Sequence, residues 1–103
     1  MEINILYIQN QFQYTPIWLG KNRANIDPIT DIISDGLSAD ILAWDDTYQE
    51  AFNKCICSRE KLSKFLDIQE FNKKGQILCD RISNEQPKYT VIFERLEDFS
   101  LNY

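Results

Sequence analysis

The sequence predicts a two-layer α+β domain, in which two helices pack on a small mixed sheet of three strands in the order β-β-α-α-β. Three observations carry this expectation. Apolar residues alternate at both ends of the chain, over Glu2–Gln9 and Tyr89–Glu94, as strands require. Between them, Ile41, Trp44, Tyr48, Phe52 and Cys55 recur at helical spacing, and so do Phe71, Gly75, Leu78 and Ile82. The 103 residues suffice for a single domain over 1–103, and 44% hydrophobic content lies far from the composition of disordered chains.

In the first strand, Ile3, Ile5 and Tyr7 fall on one face and Leu6 and Ile8 on the other. Both faces are apolar, which predicts a central strand covered on two sides. Gln9–Thr15 turns the chain, and Pro16-Ile17-Trp18-Leu19 is a short second strand closed by Gly20. Lys21–Ile29 has the Asn and Asp-Pro chemistry of a loop, with a helical turn over Ile29–Ile33 that Asp35-Gly36 breaks. Ser38 is the expected N-cap of the first helix, with Asp40 in its first turn and Leu37 and Leu42 placed as a hydrophobic staple. Asp45, Asp46, Gln49 and Glu50 then lie outside or flanking the apolar stripe. Ile56–Phe65 reads as a linker with one helical turn. Asp67 and Glu70 have the spacing of a capping box for the second helix, which Gln86-Pro87 ends. Gly75 on the buried stripe implies close approach to the sheet or to the first helix. The third strand follows at Tyr89–Glu94, and the tail Leu96–Tyr103 is expected to pack loosely.

Composition narrows the function. There is no histidine, no Gly-rich phosphate loop and no nucleophile motif, and Asp45 and Asp46 point about 100° apart on a helix. The expectation is a non-enzyme without a cofactor. Cys55, Cys57 and Cys79 are too few for a zinc shell in a chain lacking histidine, so no metal is expected, although Cys79 and a carboxylate could complete one. The chain lacks the basic and apolar features of an export signal and has no long apolar run, which points to the cytoplasm.

The charge of −5 is unevenly spread. Between Ala24 and Asn53 stand Asp27, Asp31, Asp35, Asp40, Asp45, Asp46 and Glu50, with no lysine or arginine among them. Such a run is often only a solvated face. Thirty residues without interspersed bases instead favour a surface that repels nucleic acid and orients a basic protein partner. Trp44 and Tyr48 belong to the core stripe. Trp18, Tyr14 and Phe12 are the candidate exposed aromatics of an interface. Lys21 and Arg23 could instead pin their loop to the acidic block.

At Pro16-Ile17-Trp18, Leu37-Ser38-Ala39-Asp40-Ile41, Trp44-Asp45-Asp46-Thr47-Tyr48, Phe71…Gly75…Leu78…Arg81-Ile82 and Tyr89-Thr90-Val91 the chain resembles a known group. These are the small bacterial immunity proteins of toxin–immunity systems, CdiI-like proteins of contact-dependent growth inhibition included. The resemblance covers most of residues 16–93 and departs at Cys55–Leu66 and in the first dozen residues. It implies a protein that binds and neutralises a cognate toxin as the monomeric partner in a heterodimer. A basic ribonuclease domain fits the acidic block, because a cleft that holds RNA phosphates is positive. A regulatory or structural module that self-associates through a sheet edge at Pro16–Leu19 is the alternative.

Overall fold

The computed structural model describes residues 4–26 and 32–97. It is an α+β fold of four strands and two helices: β1 (Ile5–Gln9), β2 (Ile17–Leu19), β3 (Ala24–Asn25), α1 (Asp35–Ser58), α2 (Ile68–Glu85) and β4 (Thr90–Glu94). The sheet order is β3-β2-β1-β4; β1 pairs antiparallel with β2 and parallel with β4.

The predicted three-stranded sheet is thus corrected by one strand. β3 comes from the stretch expected to be loop, and its two residues are both exposed, so no apolar alternation marks it. It is made by backbone geometry. Gly20 and Arg23 take left-handed φ angles of 74° and 50°, and the Arg23 N–H donates to Gly20 O at 3.0 Å. Asn25 Nδ2 then donates to Thr15 O and Ile17 O. β2 consequently lies between β3 and β1 and is not the free sheet edge the alternative required.

Leu6 and Ile8 of β1 join Ile17 of β2 in one core with residues of both helices. The central strand is therefore covered by helices on one face only; Ile5 and Tyr7, on the other, are half-buried. There the Arg23 guanidinium lies 4.0 Å from the centre of the Tyr7 ring and pairs with Glu94 at 2.6 Å. Trp44 and Tyr48 are buried core residues, as their spacing predicts.

α1 begins four residues earlier than expected. Ser34, not Ser38, is its N-cap, and Asp35-Gly36 forms its first turn instead of breaking it. The Ser34 hydroxyl accepts from Leu37 N–H at 3.3 Å, which leaves Ser38 buried inside the helix. The expected staple dissolves with the shifted cap: Leu37 is core and Leu42 is exposed. The decisive partner is remote in sequence. Glu85, at the end of α2, accepts from Ser34 N–H at 2.8 Å and from its hydroxyl at 2.7 Å, tying the two helix ends together. The expected turn over Ile29–Ile33 falls largely outside the described residues. At its far end α1 takes in the first three residues of the expected linker and stops at Ser58, where Arg59 adopts φ 57° and donates to Cys55 O. A 3₁₀ turn at Leu62–Lys64 buries Leu62, and α2 starts at the expected cap, Asp67, whose carboxylate accepts from Glu70 N–H.

Gly75 makes the close approach its position implied, and makes it to both neighbours. A Cβ there would stand 2.5 Å from Phe93 Cζ of β4 and 2.6 Å from Trp44 Cζ2 of α1. Trp44 cannot swing away cheaply: it stacks on Phe71 at 4.5 Å and donates its Nε1 proton to Phe71 O.

Two predictions follow from these contacts. Gly75→Ala should lower unfolding free energy by roughly 1–3 kcal/mol in urea titrations, overpacking outweighing the better helix propensity of alanine; unchanged or higher stability would contradict the packing. The Ser34 hydrogen bonds hold the Glu85 carboxyl below the usual glutamate value of 4.5. That stabilisation is present above the unfolded value and disappears as pH falls through the lowered folded one. Glu85→Gln should therefore be less stable than wild type at pH 7, with the two denaturation curves converging in acid.

Candidate functional site

The block of seven acids does not form one uniform surface. Asp27 and Asp31 lie outside the described residues. Asp45 is buried, with 4% of its surface accessible, which corrects its expected place outside or beside the stripe. Asp40 is exposed but bound to Arg81 of α2 at 2.8 Å, so one of the chain's own arginines neutralises it. Asp35, Asp46 and Glu50 remain exposed, with no ion pair among the described residues. Eleven residues of an α-helix make almost a whole number of turns, so Asp35 and Asp46 share one face of α1, and Glu50 follows one turn on. Like charges at i,i+4, as at Asp46 and Glu50, cost roughly 0.2–0.5 kcal/mol. Lys54, one turn beyond Glu50 at the edge of the same face, is exposed and is not in ion-pair contact with either.

Beside this face lies the loop Asn10–Thr15, which α1 holds by a set of side-chain bonds. Gln49 is its clamp. Its Oε1 accepts from Gln13 N–H at 2.9 Å, while Nε2 donates to Gln11 O at 2.9 Å and to Asp45 Oδ2 at 3.1 Å. Gln13 has a left-handed φ of 70°, uncommon for a residue with a side chain, and the Gln49 bond supports it there. Asn10 Nδ2 donates to Asp45 Oδ1 at 2.8 Å. Phe12 stacks on Phe52 at 4.8 Å, so it anchors the loop and is half-buried instead of forming the exposed aromatic expected of it.

What the loop presents is Tyr14, which is 53% exposed and rests against Trp18 at 5.6 Å. Trp18 is only 9% exposed, and its Nε1 donates to Gln9 O at 3.0 Å. The indole supports Tyr14 from beneath and is not itself an open anchor. Tyr14, Leu42, Asp46 and Gln49 line a shallow cleft between loop and helix, with Asp45 at its wall. Arg23 is taken up by Tyr7 and Glu94 and does not pin the loop to the acidic block. The arrangement suits a cationic side chain: an apolar stem against Tyr14 and Leu42, its charge on Asp46.

Gln49, Asn10 and Leu42 are not among the site residues expected from sequence, where Leu42 figures only as a staple and Gln49 only on the flank of the stripe. An amide carries no charge or periodicity signal, and only the fold shows that Gln49 serves three backbone groups of a distant loop. The thiols do not gather: Cys55 and Cys79 are buried and Cys57 is exposed, and burial pushes the Cys79 thiol up to about 12. Among the described residues no three potential ligands come together as a metal site.

Burial raises the Asp45 carboxyl above its usual value of 3.8, against the hydrogen bonds from Asn10 and Gln49. The sign is opposite to that of Glu85: stability is lost as pH rises from the unfolded value through the raised folded one. A carboxyl-detected NMR titration should give Asp45 a midpoint above 3.8; one at or below it would remove desolvation as the dominant influence. Asp45→Ala should cost about 1–3 kcal/mol, because it strips buried Asn10 of its partner.

The model of a protein family described as Serratia CdiI immunity protein-like matches residues 4–96. No curated protein matches the chain.

Proposed function

The chain belongs to the Serratia CdiI immunity protein-like family, and on that premise we propose that it neutralises a cognate toxin by docking the outer face of α1 onto a basic surface of that toxin. The supporting observation is the row Asp35, Asp46 and Glu50, unpaired among the described residues and flanked by the exposed Tyr14 that Gln49 holds in place. Asp40 contributes negative potential reduced by Arg81. Asp27 and Asp31 join the docking set on sequence alone. Asp45 acts from within, by fixing the loop through Asn10 and Gln49.

The toxin that suits such a face is a nuclease, and a ribonuclease above all, since its substrate cleft must be cationic. Inhibition is then occlusion: the carboxylates of α1 take the lysines and arginines that would otherwise bind phosphate. Each chain takes one toxin domain. The role is stoichiometric binding inside the producing cell and calls for no catalytic group or cofactor. Long-range attraction speeds capture, and the Tyr14–Leu42 cleft supplies the short-range contact that slows release.

The test is stopped-flow association with the cognate toxin, combined with growth protection on co-expression. Asp46→Lys with Glu50→Lys should slow association about tenfold or more at low salt, and rising salt should shrink the difference. Tyr14→Ala should act mainly on dissociation. Association and protection unaffected by the double charge reversal would defeat the α1 docking face.

A further inference from the structure

β4 is the outer strand of the sheet among the described residues. Thr90 N–H donates to Asn4 O at 2.8 Å, which sets the parallel ladder with β1. Alternation along the strand then turns the N–H and C=O of Thr90, Ile92 and Glu94 towards β1. Those of Val91 and Phe93 point away from the sheet, and no strand lies on that side among the described residues. Edge strands are ordinarily guarded by proline, lysine, a bulge or an inward charge. Thr90-Val91-Ile92-Phe93-Glu94 carries none of these at its centre. Ile92 is 38% exposed on the face away from the helices. Beyond the strand the chain turns back to α2, where Asn72 bonds both the N–H and the C=O of Leu96 at 2.9 Å.

We propose that two copies of the chain associate through antiparallel pairing of β4 with β4, centred on Ile92. In this register Val91 faces Phe93 of the second copy, and each such pair exchanges two backbone hydrogen bonds. All four outward groups of each strand are then used. Ile92 meets Ile92 of the second copy in the intervening non-hydrogen-bonded pair, and Thr90 meets Glu94, so no like charges oppose one another. A register centred on Val91 is poorer. It would set Phe93 against Tyr89, whose N–H is already committed to Gln86 O at 3.0 Å. The occupant is thus selected by self-complementary backbone polarity and by an apolar, uncharged midpoint. The dimer is weak and reversible, because one strand pair buries little surface. α2 rather than α1 packs against β4, so the outer face of α1 stays open in each copy.

Sedimentation of the purified chain over a wide concentration range tests this without any toxin, so its outcome is independent of the α1 docking face. A reversible monomer–dimer equilibrium is expected. Ile92→Lys should weaken it roughly tenfold or more by opposing two ammonium groups at the midpoint, with the circular dichroism spectrum unchanged. In a Cys57→Ser background, Ile92→Cys should cross-link rapidly under diamide, because opposed residues at a two-fold axis lie within disulfide reach. Thr90→Cys should not, since the two copies of residue 90 would stand roughly 13 Å apart along the strands. A chain that stays monomeric throughout, a dimer that survives Ile92→Lys, or equal cross-linking at both positions would each overturn the pairing.

Discussion

At Gly75 three elements meet with no room for a single methyl group, and the rest of the structure is arranged around that contact. The Phe93 ring of β4 and the Trp44 ring of α1 occupy the space a side chain would fill. This lets α2 sit low enough to touch the edge strand and the first helix together. Trp44 is held in turn by its stack on Phe71 and its bond to Phe71 O, and Tyr48 continues the aromatic layer one turn along. The face of α1 that points inward is therefore set by packing. By helical geometry, so is the face that carries Asp35, Asp46 and Glu50 outward. A rotation of α1 that brought Asp45 to the surface would pull Trp44 and Tyr48 out of the core, at several times the energy a surface carboxylate could return.

The seven acids of the middle third divide by what surrounds them. Asp45 stays buried because two amide groups donate to it, and those bonds keep its desolvation tolerable without a counter-ion. Asp40 lies opposite α2 and gains Arg81, an exposed pair of the kind that contributes little to stability but quenches local potential. Among the described acids of this run, those on the far side of α1, Asp35, Asp46 and Glu50, have no ion pair. A run of acids in sequence is thus a poor measure of an acidic surface; the number that survives depends on which way the helix faces.

This explains what was legible in the sequence. The two apolar stripes, the Asp67 cap, the terminal strands and the role of Gly75 rest on local spacing, which a chain shows openly. β3 was hidden because its two residues are exposed and its pairing is set by positive φ at Gly20 and Arg23. The start of α1 was misplaced because Ser34 and Ser38 are equally good caps locally, and Glu85, some fifty residues away in sequence, decides between them. Phe12 and Trp18 looked like open aromatics in a polar stretch, yet each has a ring or carbonyl partner that only the fold supplies. For the candidate site, the exposed carboxylates and Tyr14 could be named in advance. The clamp that organises them, Gln49, could not.

Gln49 also gives the site its mechanical character. The loop carrying Tyr14 has no regular structure of its own and includes a left-handed Gln13, so left alone it would sample many conformations. One glutamine bonded to Gln13, Gln11 and Tyr14, with the Phe12–Phe52 stack and the Asn10–Asp45 bond at its flanks, removes that freedom before any partner arrives. Ordering a loop during binding would subtract from affinity; here the cost is met in folding. A buried aspartate with a raised pKa is an expensive component for a small core, and its use is best understood in those terms. Through Asn10 and Gln49 it fixes the loop that carries Tyr14.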